Sequence, residues 1–360
     1  MYTILILLVV MVILFFIITG HPKFGETPKG ERLARIKNSP NFKNGKFQNL
    51  SNTPQMSEEA KFSRMFKEFL FSKNKKPDKR IPSIKTDLFT LDSDKDVLVW
   101  FGHSSYFIQI DGKRMLVDPV FSGHASPFPF AVKAFPGSNI YTPDEIPEID
   151  YLIITHDHWD HLDYKTILEL EPKINAIVTG LGVGQHFEKW GFEQSVISEL
   201  DWFEKKEFDG GFIFHCTPSR HFSGRGFSPK KTLWSSFVLQ TASQTIFIGG
   251  DGGYDSHFNE IGERFGSIDL AILENGQYNK AWKYIHLMPE QVLQAAKDLN
   301  AQRLFPVHNS KFALANHPWD EPLKRLSKSN KHNPIPIITP QIGEIVYLKD
   351  PEQKLSEWWS

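Results

Sequence analysis

The chain begins with an unbroken apolar run. Residues 1–20, MYTILILLVVMVILFFIITG, carry no charged side chain. About 18–20 such residues suffice to cross a bilayer as a helix, so the run predicts a single-pass N-terminal transmembrane anchor. A cleaved signal peptide is the rival. It would have basic residues before the run and small residues at a cleavage site after it. No Lys or Arg precedes the run here, and IITG makes a weak cleavage site. Lys23, Lys29, Arg32, Arg35 and Lys37 follow, and positive residues favour the cytoplasmic side. Residues 21–95 are polar and read as a linker and lead-in. Within them Phe62, Met65, Phe66 and Phe69 recur at i, i+3, i+4 and i+7. That spacing predicts an amphipathic helix near 57–72 with its apolar face packed on the main body.

From residue 96 the texture changes to short apolar runs bounded by turns. VLVWF (97–101), YFIQI (106–110), RMLVD (114–118), YLIIT (151–155) and AIVTG (176–180) read as strands. GFIFHCT (211–217), SFVLQ (236–240), TIFIGG (245–250), LAIL (270–273) and RLFPV (303–307) continue the series. PEQVLQAAKDL (289–299) opens with Pro and Glu, as helices do. Strands first, then strands mixed with helices, predict an α/β domain over 96–350, with two sheets and helices outside them. A short C-terminal tail, 351–360, follows.

Composition narrows the picture by exclusion. Forty-one basic and 42 acidic side chains give a net charge of −1. A general nucleic-acid binder would show a basic surplus, so no nucleic-acid partner is expected. The single cysteine, Cys216, excludes an internal disulfide. Thirty phenylalanines fit a large aromatic core or an apolar surface, and composition does not separate the two.

The chemistry concentrates at THDHWDH, residues 155–161, directly after the apolar run YLIIT. Neutral imidazole and carboxylate suit zinc or a similar divalent ion. His156, His158, Asp160 and His161 exceed what one catalytic metal with an open position takes from a protein. Two ions, about 3.5–4 Å apart, relieve the crowding and serve hydrolysis. Three later residues stand after predicted strands: His221 in PSRHFSGRGF, Asp251 in IFIGGDGGYD and His308 in LFPVHNSKFALAN. His215 lies inside an apolar strand and reads as a satisfied core histidine. His317, His257 and His124 have turn or polar contexts without a partner at ligand spacing.

The motif resembles the signature of the metallo-β-lactamase superfamily. WFGHSSYFIQIDGKRMLVDPVFSGHASPF, THDHWDHLD, RHFSGRG with TLWSSFVL, GGDGGY, HLMPEQ and HNSKFALA follow in that order, and the lead-in ERLARIKNSPNF fits too. Together they resemble N-acyl-phosphatidylethanolamine-hydrolysing phospholipase D and its bacterial relatives. The resemblance implies a four-layer αβ/βα sandwich behind the N-terminal apolar helix, with metals at one edge between the sheets. It implies that His156, His158 and His221 hold one ion, that Asp160, His161 and His308 hold the other, and that Asp251 bridges them. The cofactors would be two divalent ions, zinc first, with manganese or iron as alternatives, and a metal-bridging hydroxide would be the nucleophile.

A phospholipase D-type phosphodiesterase acting on membrane lipid is the activity so implied, while the basic residues after the apolar run place the catalytic domain on the cytoplasmic side. The alternative is a lactonase or another small-ester or phosphoester hydrolase with the same dinuclear site. A non-catalytic module is disfavoured because all seven ligand candidates are present. His286 and His103 match positions near the family's site. His286 would touch a substrate phosphate or protonate a leaving oxygen, and the plain alternative for both is a cap or turn histidine. Asp118 is a candidate to orient an imidazole, or an ordinary turn aspartate. Asp157 is expected to take no metal bond, so that its replacement is mild. The run 124–135 reads as an acyl-binding lip or a buried loop. ENGQYNKAW (274–282) departs from the family, which bears on substrate identity.

Overall fold

The computed structural model describes residues 2–226, 228–331 and 334–359. Helices α1 (Tyr2–Thr19) and α2 (Gly30–Asn38), a small hairpin of β1 (Phe42–Lys43) and β2 (Lys46–Phe47), and α3 (Phe62–Phe71) come first. The body then opens with β3 (Val97–Trp100), β4 (Tyr106–Ile110), β5 (Lys113–Val117) and β6 (Ile149–Ile154). Helix α4 (Tyr164–Leu170), β7 (Ile174–Gly180), α5 (Gly184–Lys189) and β8 (Ile197–Leu200) complete its first half. The second half runs through β9 (Lys205–Phe208), β10 (Phe212–Pro218), β11 (Ser235–Gln240), β12 (Thr245–Ile248) and α6 (His257–Phe265). It ends with β13 (Leu270–Glu274), α7 (Pro289–Asp298), β14 (Leu304–Val307), α8 (Glu321–Asn330) and β15 (Ile345–Tyr347).

The strands form two mixed sheets. One has seven strands in the order β15-β3-β4-β5-β6-β7-β8, the other six in the order β14-β13-β12-β11-β10-β9. Their side chains explain the layering, because successive residues of a strand face opposite ways. On β4, Tyr106, Ile108 and Ile110 join the core between the sheets, while Phe107 points to the other face. There Ile167 and Leu170 of α4 and Phe187 of α5 cover it. On β12, Ile246 and Ile248 face the first sheet, and Phe247 meets Phe258 of α6 and Val292 of α7. Each central strand is thus apolar on both faces, which is why it reads as a continuous run. Helix, sheet, sheet and helix stack as four layers, as the resemblance implies.

Two expectations about the N-terminal third need correction. Among the described residues no helix is long and apolar enough to cross a membrane. Helix α1 itself forms over Tyr2–Thr19. The single-pass transmembrane anchor is not supported, and the membrane-side assignment built on it lapses with it. Helix α3 forms within the expected span, yet Phe62, Phe66 and Phe69 are exposed, Phe62 at 83 %. Only Met65 and Glu68 turn partly inward. Periodicity shows that a helix has an apolar face, not what covers it.

The rest of the polar lead-in is held on the body. Ile36 of α2 and Phe47 of β2 are fully buried in the inter-sheet core. Arg32 pairs with Glu188 and Glu199, each contact 2.6 Å.

Candidate metal centre

Seven loops converge at one edge of the sandwich, each leaving the C-terminal end of a strand. They follow β3, β5, β6, β10, β12, β13 and β14, and carry respectively His103, Asp118, the 155–161 motif, His221, Asp251, Asn275 onward and His308. Backbone strain accompanies them. His103, Asp118 and His308 have φ of 55°, 42° and 67°, a region that side chains bearing a Cβ avoid. Such strain persists only where surrounding contacts enforce it. Gly250, at φ 60°, serves the same edge: a Cβ there would lie 2.9 Å from both Ser235 O and Thr155 Cβ. Only glycine lets β12 deliver Asp251 this close to the motif.

Asp251 is the hub. Its carboxylate lies 3.2 Å from His161 Nε2, 3.1 Å from His308 Nδ1, 3.8 Å from His221 Nε2 and 3.9 Å from His156 Nε2. His158 Nδ1 is 3.0 Å from His156 Nε2 and 3.3 Å from His221 Nε2. Asp160 Oδ2 is 3.5 Å from His161 Nε2. The seven predicted residues therefore share one buried site. They fall into a His156–His158–His221 group and an Asp160–His161–His308 group, the latter joined by His103, and the ligand atoms within each group lie within 4.8 Å of one another. Burial, chiefly, holds His156, His158, His221 and His308 below the usual imidazole range, and neutral imidazole is the form that ligates.

The donor set fits divalent ions. His161 Nε2 and Asp251 Oδ1 are buried without a hydrogen-bond partner, a costly condition for polar atoms that a metal removes. In His161 and His221 the other ring nitrogen is already engaged. His161 Nδ1 donates to Asp118 Oδ2 at 2.7 Å, and Thr155 N and Oγ1 bond the same carboxylate. His221 Nδ1 donates to Ile285 O at 2.8 Å. These bonds set the tautomers that leave each Nε2 free to ligate. Asp118 is thus an orienting residue and not an ordinary turn aspartate.

His103 and His286 part company. His103 is fully buried, bonds Asp160 Oδ2 at 2.8 Å through Nε2, and does not line the cleft. His103 thus touches Asp160 and not the open cleft. His286 does line the cleft, a cavity of about 420 Å³ that also meets His158, His221, Asp251 and His308. Its Nδ1 lies 2.6 Å from Glu274 Oε2. Burial opposes a charge on His286, but the Glu274 carboxylate outweighs it and raises the imidazole above its ordinary range. Glu274, by contrast, is raised by burial itself, so the pair retains a proton.

Glu274 enters the sequence reading only as the first residue of the divergent run 274–282, with no role of its own; it ends β13. Its other oxygen accepts Gly252 N at 2.6 Å, next to Asp251. Asp157 belongs to none of the candidate ligand groups, as expected, yet it is densely bonded. Its buried carboxylate accepts Gly224 N, Thr232 Oγ1 and His186 Nε2. Arg225, stacked on Trp159 at 4.1 Å, donates to Asp157 O and Leu162 O. These contacts floor the motif loop from the side away from the cleft. The run RHFSGRG was the available signal.

The four other histidines weighed in the sequence lie outside the cluster. His215 bonds Gln240, His317 bonds Gln277 N, His124 bonds Ser126 O, and His257 packs on Phe258. In the run 124–135, Phe135 is buried while Phe130 is 76 % exposed, so it is neither wholly a buried loop nor part of the cleft wall.

Comparison with known proteins agrees with this geometry. Residues 113–309 match the model of the beta-lactamase superfamily domain. An uncharacterized protein of Mycobacterium tuberculosis is 34 % identical, covering 89 % of this chain and 87 % of that one. N-acyl-phosphatidylethanolamine-hydrolyzing phospholipase D 1 of Caenorhabditis elegans is 28 % identical, covering 70 % of this chain and 75 % of its own. Among solved structures, the metallo hydrolase Igni18 of Ignicoccus hospitalis matches with a TM-score of 0.53 at 19 % identity, over 70 % of this chain and 97 % of that one. An isothiocyanate hydrolase from Delia radicum gut bacteria reaches 0.54 at 20 % identity, over 69 % and 98 %. At such identities these structures establish the fold alone.

Proposed function

Since the chain belongs to the metallo-β-lactamase superfamily of metal-dependent hydrolases, we propose that it is a phosphodiesterase of phospholipase D type, acting on N-acyl-phosphatidylethanolamine-like lipids. His156, His158 and His221 would hold one divalent ion, Asp160, His161 and His308 a second, and Asp251 both. Such ions, zinc in the first instance, lower the pKa of water to about 7 and polarise the phosphoryl oxygen.

The observation that carries this reading is His286 on the cleft wall, with Glu274 behind it. Glu274 accepts a hydrogen bond from His286 Nδ1–H, which leaves the Nε2 side of the ring free to meet a substrate. A protonated imidazole meets an anionic phosphodiester and can pass a proton to the departing alkoxide, whose high basicity makes that donation matter. A neutral lactone offers it no counter-charge. The cleft's other walls, Met56, Phe222, Trp282, Ile285 and Leu314, suit an acyl chain.

The test compares N-acyl-phosphatidylethanolamine in mixed micelles, bis(4-nitrophenyl) phosphate and a simple lactone. The phosphodiesters should turn over. His286→Ala should lose about 10²–10⁴-fold on the alkyl leaving group and far less on nitrophenolate, which leaves without a proton. Turnover of the lactone alone would reject the reading.

A further inference from the structure

We propose that α3 and the basic run behind it dock the protein on an anionic lipid surface. The helix presents Phe62, Phe66, Phe69 and Leu70 to solvent, each more than half exposed. The Phe62 and Phe66 rings stack on each other rather than on the body. A contiguous apolar patch of this kind marks an interaction surface. Its surroundings specify the partner. Residues 61–80 contain eight Lys or Arg against Glu68 and Asp78, in a chain whose total charge is −1. Lys67, Lys73, Lys76 and Lys79 are exposed beside the aromatic side chains. Aromatic residues flanked by solvated cations are the pattern of a helix lying in an anionic lipid interface. A second copy of this chain is a poor occupant, because it would bring the same positive charge against itself.

The position of α3 gives the docking a consequence. Glu68 accepts Asn279 Nδ2 at 2.9 Å, and Ser57 bonds Ala281 and Lys280. These contacts tie α3 and the strap before it to the turn that places Trp282 on the cleft wall, while Met56 of the strap lines the cleft itself. Docking through α3 therefore brings the cleft mouth to the lipid surface. The proposal does not rest on the phosphodiesterase reading. It is tested by binding without turnover, so a protein that docks but cleaves no phospholipid leaves it standing.

The lone native cysteine, Cys216, is buried, so an introduced surface cysteine can be labelled selectively. Full-length Phe66→Cys carrying an environment-sensitive nitrobenzoxadiazole dye is titrated with mixed phosphatidylcholine–phosphatidylserine vesicles and with phosphatidylcholine alone. Glu207→Cys on β9 is the control. Dye at position 66 should brighten and shift to the blue on the anionic vesicles only, and dye at 207 should not respond. Reversing Lys67, Lys73, Lys76 and Lys79 to Glu should lower affinity for the anionic vesicles at least about tenfold. Unchanged emission at 66 while the protein sediments with vesicles would overturn the proposal. So would a charge-reversed protein of undiminished affinity, or a shift at 66 that follows protein concentration without lipid.

Discussion

A carboxylate within 4 Å of four imidazoles has either to bind protons through them or to share a metal with them. Asp251 is in that position. Replacing it with Asn keeps the shape and removes the charge that two cations would share. Asp251→Asn is expected to retain the fold, lose bound metal by elemental analysis, and lose at least about a hundredfold in kcat. Near-normal turnover would rule out a bridging role. Asp157 makes the opposite case. It takes three hydrogen bonds in a buried setting on the far side of the motif. An Asn there must turn an N–H₂ toward at least one donor. Asp157→Asn should therefore cost about 1–3 kcal/mol of stability, the penalty of an unsatisfied buried polar group, with metal stoichiometry preserved. Urea midpoints and metal analysis check the two halves of that statement. A mild outcome on both counts would restore the simpler sequence-based expectation.

At the scale of elements, Lys311 shows how the site edge is pinned. It lies in the loop after β14, is fully buried, and donates to Phe101 O after β3 and Val120 O after β5. It thereby ties the second sheet to two strand ends of the first. Burial lowers its amine to about 7, against an ordinary 10.5. Between those values the unfolded chain binds the proton and the folded one releases it, so this group makes stability rise with pH from about 7 to about 10.5. Thermal melts of wild type and Lys311→Met across that window should show the extra slope in the wild type only; parallel curves would contradict the assignment.

What the sequence disclosed about these elements follows a physical line. Central strands are buried on both faces and stand out as apolar runs. The three body strands absent from the sequence reading, ISEL of β8, KKEF of β9 and IVY of β15, are all sheet edges. Edges are kept short or charged, which discourages pairing between molecules and erases the hydrophobic signal. The metal motif was legible because its ligands crowd into seven residues behind one strand. The roles of His103 and Glu274 were not, because their partners lie 57 and 12 residues away and only the fold brings them together.

On the scale of the whole molecule, the proposed metals would join the two halves of the sandwich. The motif 155–161 leaves β6 of the seven-stranded sheet, whereas His221, Asp251 and His308 leave β10, β12 and β14 of the six-stranded one. Each proposed ion would take ligands from both. Binding that requires the sheets in register stabilises the folded state at the expense of the unfolded, by RT ln(1 + [L]/Kd). At free metal a hundredfold above Kd this is about 2.7 kcal/mol per site, or several degrees in Tm. Protein stripped with a chelator should melt several degrees lower, and zinc should restore the loss with a stoichiometry near two per chain. His221→Ala should recover less than wild type, because it removes a ligand that the six-stranded sheet supplies. A stripped protein with unchanged Tm, or full recovery and activity at one ion per chain, would show that the edge works without a second metal and that protein contacts such as those of Lys311 hold the sheets in place there.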